Sequence, residues 1–252
     1  MGVAGGEVIV TALTHRGAVR PANEDALVMG SVCASADMTL PARLILSTSE
    51  PIILGVADGI GGQAAGEIAS EHLVQRMSEE RPRLQGAEDI TQLLVNVDEE
   101  LQEHAQHFDE FTGMGTTVAG VLLSGEGIFW FNVGDSRTYR LDGRSLIQLS
   151  EDDSPPLPPS EDGRPATTNF ITQSLGGSAK GRMVPHVGRD DAGIGAAWLM
   201  CSDGLSDLVR HGDMEKIIAE AGSDEAAVYA LWQAAMEAGG KDNISILLAR
   251  LV

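Results

Sequence analysis

The chain has 252 residues, 43% hydrophobic and 21% charged, which is ordinary for a globular protein and ample for a core. A formal net charge of −20 argues against nonspecific binding to nucleic acid or to an anionic membrane surface. Two cysteines, Cys33 and Cys201, are too few for a disulfide framework, residues 1–10 do not read as a signal peptide, and no apolar run is long enough to span a bilayer, so a cytoplasmic protein is expected.

Val8–Leu13 reads as the first strand, with Leu27–Val32 and Ile52–Ala57 as the next two and a variable connection over Ala34–Pro51. Gly66–Met77 reads as a helix. Ile90, Leu93, Leu94, Val97, Leu101 and Phe108 recur at helical spacing and predict a second helix over Ile90–Phe108. The period then shortens. Thr116–Leu123, Ile128–Val133, Thr138–Leu141 and Leu146–Leu149 read as strands, with hairpin signals at Ser124-Gly-Glu-Gly127 and Asp142-Gly143. Ser150–Asn169 holds five prolines and no sustained period, so it reads as a loop or flap. Trp198–Cys201 reads as a buried strand, Asp213–Glu220 and Asp224–Ala238 as helices, and Ile244–Val252 as a closing strand. Strands apolar on both faces need cover on both sides, which predicts two packed sheets with helices outside.

Four aspartates sit where an apolar run ends in a Gly-rich or polar turn. They are Asp58 in Val56-Ala-Asp-Gly59, Asp135 in Val133-Gly-Asp-Ser-Arg137, Asp203 in Met200-Cys-Ser-Asp-Gly204, and Asp242 in Gly239-Gly-Lys-Asp-Asn243. A single Asp is most often a solvated surface group. Four at strand ends, with no His-rich or Cys-rich cluster, point to oxygen ligands for a hard divalent cation such as Mn²⁺ or Mg²⁺.

Further pieces accompany them in order: Arg16-Gly-Ala-Val-Arg20, Asn23-Glu-Asp25, Asp58-Gly-Ile-Gly-Gly62, Gly66-Glu-Ile-Ala-Ser70, Gly113-Met-Gly-Thr-Thr117, Gly134-Asp-Ser-Arg137, Ser202-Asp-Gly-Leu205 and Asp242-Asn243. Each is weak alone. Together, over nearly the whole chain, they resemble the type 2C (PPM-type) metal-dependent Ser/Thr protein phosphatases, bacterial branch.

The resemblance implies an α+β fold, an α-β-β-α sandwich of two antiparallel sheets flanked by helix pairs, with residues 1–252 as one catalytic domain and a flap near 150–170. It implies hydrolysis of phosphoserine and phosphothreonine on proteins, opposing a bacterial Ser/Thr kinase, by a monomer that needs neither nucleic acid nor membrane. Two tightly bound cations and a third, weaker one are expected. Asp58 would bridge two metals, with the Gly59 carbonyl on one of them. Asp203 and Asp242 would ligate the other. Glu24 and Asp25 would hold metal-bound waters, and Asp135 with Asp203 would hold the third metal. Two cations sharing a water lower its pKa. Arg20 would bind the substrate phosphate, for which its planar fork is suited. Arg20, Asp58, Asp203 and Asp242 are therefore the expected catalytic set. Asn243 reads equally as a group behind the ligands or as a turn residue.

Thr116 and Thr117 read as structural, Cys201 as a buried small hydrophobe, and Arg137 as half of an internal ion pair. His72, His104 and His107 fall on helices and do not read as ligands. Gly61, Gly62 and Gly66 lack the Lys-Ser/Thr of a phosphate-cradling loop and read as turn and packing glycines. Two features depart from the family. Ile60 stands where many eukaryotic members carry the His proposed as general acid. The segment before Ile171-Thr-Gln-Ser-Leu-Gly176 is short and proline-rich, Pro155-Pro-Leu-Pro-Pro159. A catalytically dead binding module on the same fold and a two-metal phosphodiesterase are the competing readings. The complete carboxylate set weighs against the first, and the absence of a basic groove signal and of ligand histidines against the second.

Overall fold

The computed structural model describes residues 5–61, 65–107, 111–155, 170–177 and 183–252. In chain order it begins with the strands Glu7–His15 (β1), Asp25–Met29 (β2), Val32–Ala34 (β3), Ala42–Ser47 (β4) and Ile52–Ile60 (β5). Two helices follow, Ala65–Glu80 (α1) and Ala87–His107 (α2), joined by a 3₁₀ turn at Arg81–Arg83. The next strands are Gly115–Thr116 (β6), Val118–Leu123 (β7), Ile128–Val133 (β8), Arg137–Asp142 (β9) and Ser145–Gln148 (β10). Then come His186–Asp190 (β11), Ala197–Cys201 (β12), the short helix Asp203–Ser206 (α3), His211–Glu220 (α4), Asp224–Glu237 (α5) and Ile244–Leu251 (β13).

One sheet runs β10-β9-β12-β13-β1-β4 and the other β11-β8-β7-β5-β2-β3, with β6 paired to β5. Every pairing is antiparallel. Three apolar clusters account for four layers. Val10, Leu54, Val121, Trp198 and Leu247 lie between the sheets. Leu73, Met77, Leu94 and Leu101 of α1 and α2 pack on Ile53, Leu122 and Phe131 of the second sheet. Val228 and Leu231 of α5 and Met214 of α4 pack on Leu13, Leu199 and Leu248 of the first. Central strands are thus covered on both faces, which is why their apolar runs hardly alternate.

The predicted sandwich is the observed one, with local corrections. The run Leu27–Val32 is broken at Gly30, whose φ of +67° turns the chain back into the β2–β3 hairpin. The connection Ala34–Pro51 contains β4, an edge strand with alternating exposure, whose Leu-Ile-Leu run hides its period. Thr116–Leu123 is two strands, β6 and β7, pairing with successive parts of β5. Strand β11 was not expected, because an edge strand reading His-Val-Gly-Arg-Asp carries no apolar alternation. Most of the flap, including Pro156–Pro159, and residues Gly62 and Phe108 lie outside the described residues.

Candidate metal centre

Strand register brings the acidic residues to one end of the sandwich. Asp25 opens β2 and lies directly opposite Asp58 on β5. In the other sheet Cys201 pairs with both Ile246 and Arg137, so the turns carrying Asp203, Asp242 and Asp135 leave the sheets at neighbouring points. These carboxylates act on one another's charge. Asp58 is pushed well above the usual carboxylate range, first by burial and then by Asp25, Asp203, Asp135 and Asp242. Asp203 is pushed up by burial and by Asp135, Asp207, Asp242 and Asp25. Burial raises Asp25 to about 7 against hydrogen bonds from serines, with Asp242 adding to the rise. Asp135 rises to about 6 through burial, with Asp207 and Asp152 opposing its charge. Glu24 is raised by burial, with Asp242 and Glu67 adding to it and Arg20 opposing.

Each carboxylate stands on a braced backbone. The Asp58 carbonyl accepts from Thr117 N at 2.9 Å and Thr116 Oγ1 at 3.0 Å, and Thr117 Oγ1 accepts from Asp58 N at 3.3 Å. Thr117 Oγ1 also meets Ser136 Oγ at 2.7 Å, beside Asp135. Both threonine hydroxyls are thus engaged in holding this turn. Gly59 and Gly66 let β5 and α1 touch through backbone. A Cβ on Gly59 would sit 2.3 Å from the Gly66 carbonyl oxygen and 2.4 Å from that of Glu24.

Asn243 resolves toward a positioning role. Its Oδ1 accepts from Glu24 N at 2.8 Å, and its Nδ2 donates to the carbonyls of Arg16 at 3.1 Å and Ala22 at 2.9 Å. One side chain therefore fixes the loop that carries Arg20 and Glu24. Arg20 reaches across that loop to Asp242, with Nη2 2.6 Å from Oδ2. Asp242 Oδ1 accepts from Asn243 N at 2.8 Å.

Several contributors were not singled out in the sequence. Ser202 Oγ donates to Asp25 Oδ2 at 2.9 Å and accepts from Ser245 N at 3.0 Å. A buried Asp at a strand start needs a donor, and a Ser closing a neighbouring buried strand was the available signal. Asp207 lies one helical turn beyond Asp203 and adds negative potential at both Asp203 and Asp135. Arg137 forms its ion pair with Asp152, Nη2 to Oδ2 at 2.6 Å. Cys201 is fully buried and its thiol is pushed up to about 12, consistent with a core side chain.

The donor set fits a cation. Among the described residues, Asp25 Oδ1, Asp135 Oδ1 and Asp203 Oδ1 are buried oxygens with no hydrogen-bond partner. An unpartnered buried carboxylate oxygen is costly unless a positive charge meets it. Among the described residues, no three His, Cys, Asp or Glu side chains are gathered closely enough to hold an ion as they now stand. The carboxylates lie within electrostatic reach of one another, and all offer the oxygen donors that Mg²⁺ and Mn²⁺ prefer.

Comparison with known proteins identifies the family. The sequence profile of protein phosphatase 2C matches residues 43–245. The Listeria monocytogenes serine/threonine phosphatase stp is 31% identical over 93% of this chain and 92% of its own length. The Mycobacterium tuberculosis serine/threonine protein phosphatase PstP is 28% identical over 96% of this chain, which spans 44% of that longer protein. The crystal structure of the PstP catalytic domain in complex with two manganese ions superposes with a TM-score of 0.75 at 25% identity, covering 98% of this chain and 99% of that one. The Streptococcus agalactiae serine/threonine phosphatase shares the fold at a TM-score of 0.78 and 24% identity, over 96% and 99%. With its motifs in order, its sandwich observed and its acidic residues gathered at one end, this chain belongs to the protein phosphatase 2C family.

Proposed function

We propose that this chain hydrolyses phosphoserine and phosphothreonine on proteins with divalent cations held by Asp58, Asp203 and Asp242, and that it opposes a Ser/Thr kinase. The observation that carries the reading is the set of crowded carboxylates with orphaned buried oxygens in a chain of the 2C family. The Listeria relative is named a serine/threonine phosphatase, and the mycobacterial catalytic domain was crystallised with manganese. When bound, such cations activate water and neutralise charge on phosphoryl oxygens.

The chain's own groups would divide the work. Asp58 would be shared between two cations, with Asp203 and Asp242 on one and the Gly59 carbonyl on the other. Glu24 and Asp25 would orient water, Asp25 being steadied by Ser202. Asp135 and Asp203 would hold a third, weaker cation. Arg20 would turn from Asp242 to the phosphate oxygens as substrate arrives, keeping a charge-assisted contact in both states. Ile60 can neither give nor take a proton, so the leaving oxygen is protonated from elsewhere in the site.

In this reading Mg²⁺ can replace Mn²⁺, residues 1–252 form one catalytic domain with a flap near 150–170, and the protein works as a cytoplasmic monomer. No described helix is long and apolar enough to cross a membrane, and Cys33 and Cys201 are both free thiols, as a reducing compartment keeps them.

The test is turnover of a phosphothreonine peptide, p-nitrophenyl phosphate and bis(p-nitrophenyl) phosphate, in Mn²⁺ and after EDTA. Metal-dependent cleavage of the two monoesters, with little on the diester, is expected. Preference for the diester would favour a phosphodiesterase, and no turnover in excess Mn²⁺ a binding module.

A further inference from the structure

Asp153 lies outside the acidic motifs, yet it is only 8% exposed and its carboxylate is saturated with donors. Its Oδ2 accepts from Gly134 N at 2.9 Å, and its own N donates to the Gly134 carbonyl at 3.0 Å. Both backbone groups of the residue preceding Asp135 are therefore fixed by Asp153. Gly134 is at φ +94°, and a Cβ there would lie 2.6 Å from Thr117 Cγ2, so no other residue could carry this turn without strain.

The other carboxylate oxygen faces the opposite way. Oδ1 accepts from Gln173 Nε2 at 2.8 Å and meets His186 Nε2 at 2.9 Å. A carboxylate only accepts, so His186 Nε2 carries the proton in this contact. The Asp153 carbonyl takes two more bonds, from Thr172 N at 2.7 Å and Thr172 Oγ1 at 2.9 Å. The chain leaving at Ser154 and the chain returning at Thr172 are thus tied at one residue. From Thr172 the chain runs to Leu175, which exchanges two backbone bonds of 2.9 Å with Thr116, the residue that braces the Asp58 carbonyl. Gly176 N is held by the buried Asp98 Oδ1 of α2 at 2.8 Å.

We propose that Asp153 is a positioning residue for Asp135: it locks the Gly134 turn to the chain at Thr172 and Gln173, and that tie sets the aim of the Asp135 carboxylate. The proposal rests on the reading of Asp135 as a ligand of the weaker cation. Asp153 touches neither substrate nor metal in it. Its instrument is geometry, because a carboxylate is the one side chain of this size that can accept from Gly134, Gln173 and His186 together. An amide cannot, since one of its ends would turn an NH₂ toward a donor.

The experiment compares Asp153→Asn, Asp135→Ala and the double variant. Calorimetric Mn²⁺ titration, thermal melting and steady-state kinetics on a phosphothreonine peptide are read for each. Groups that orient ligands typically change metal affinity or activity by roughly 10- to 100-fold when lost. Asp153→Asn is expected to weaken only the weaker Mn²⁺ step, by about tenfold, and to lower kcat with KM little changed. The double variant should then be no worse than Asp135→Ala. Multiplicative losses, or an unchanged Mn²⁺ isotherm beside a fall in activity, would overturn the positioning role. A silent Asp135→Ala would instead overturn the ligand reading and the proposal with it. If Asp153→Asn fails to fold, His186→Ala and Gln173→Ala, each removing one donor from Oδ1, replace it. A normal weaker Mn²⁺ step in both then counts against the proposal.

Discussion

Asp25 and Asp58 stand directly opposite one another on the antiparallel strands β2 and β5. Like charges in that relation repel, and both residues are buried enough for the repulsion to matter. A sheet that places two carboxylates in register is under electrostatic load until protons or cations relieve it.

That load gives a pH dependence. Asp25 moves from an ordinary value of 3.8 to about 7 in the folded protein, and Asp58 and Asp203 move the same way. Between those limits the native state binds more protons than the unfolded one, so stability falls as pH rises. The contribution is complete below about pH 4 and lost as pH passes the folded value near 7. Urea denaturation in EDTA should show this fall from pH 5 to 8, and Asp25→Asn should flatten it. Mn²⁺ should reverse the slope, because cations compete with protons for these oxygens. A metal-free midpoint independent of pH would contradict the crowding.

Asp58→Asn should lose most phosphatase activity and much of the Mn²⁺ bound, since it removes a buried carboxylate on which Asp25, Asp203, Asp135 and Asp242 all act. Metal-free stability should rise, because one repelling carboxylate is gone. Turnover, metal content and melting temperature are the three measurements. Full activity in excess chelator would defeat the metal requirement itself.

Arg20→Ala should raise KM by roughly ten- to a hundredfold, the value of a charge-assisted contact made equally in ground and transition states. Tight Mn²⁺ binding should persist or strengthen, because Arg20 Nη2 now sits 2.6 Å from Asp242 Oδ2 and competes for it. Unaltered KM and kcat would reduce Arg20 to a surface partner of Asp242.

Asn243→Ala removes three bonds to loop backbone. At about 1 kcal/mol each, a loss near 3 kcal/mol is expected. The kinetic effect should appear mainly in KM, because the freed loop carries Arg20. Asn243→Asp keeps the acceptor for Glu24 N and should retain part of the stability. A stable, fully active Asn243→Ala would show that the loop holds itself.

Gly59→Ala tests the contact between β5 and α1. The new Cβ meets two backbone oxygens that cannot rotate away, so the strand and helix must part at Asp58. A soluble protein with reduced Mn²⁺ affinity or an unfolded one is expected. Native affinity and activity would mean the approach is looser than the backbone positions imply.

The periodic elements were legible because their pattern follows burial directly. Helix α2 shows its buried face as Ile90, Leu93, Leu94, Val97 and Leu101. Strands β4 and β11 escaped because edge strands answer to one neighbour and to solvent, which leaves no apolar alternation in Ala42–Ser47, with its Leu-Ile-Leu run, or in His186–Asp190. Asp58, Asp135, Asp203 and Asp242 were readable as candidates because each follows or precedes an apolar run at a turn. Ser202, Asp207 and Asp153 were not, because their meaning lies in partners far along the chain, such as Asp25 for Ser202.

By itself the sequence determined the layers, the family and the acidic candidates, since local period, turn residues and motif order are written along the chain. Only the tertiary structure decided that Asp25 faces Asp58, that Asn243 binds the Arg16–Glu24 loop, and that Asp153 ties Gly134 to Thr172. Strand register and side-chain hydrogen bonds join residues separated by up to hundreds of positions. Their selection is made by competing pairings in the folded core, where a single-residue slip would turn each carboxylate to the other face.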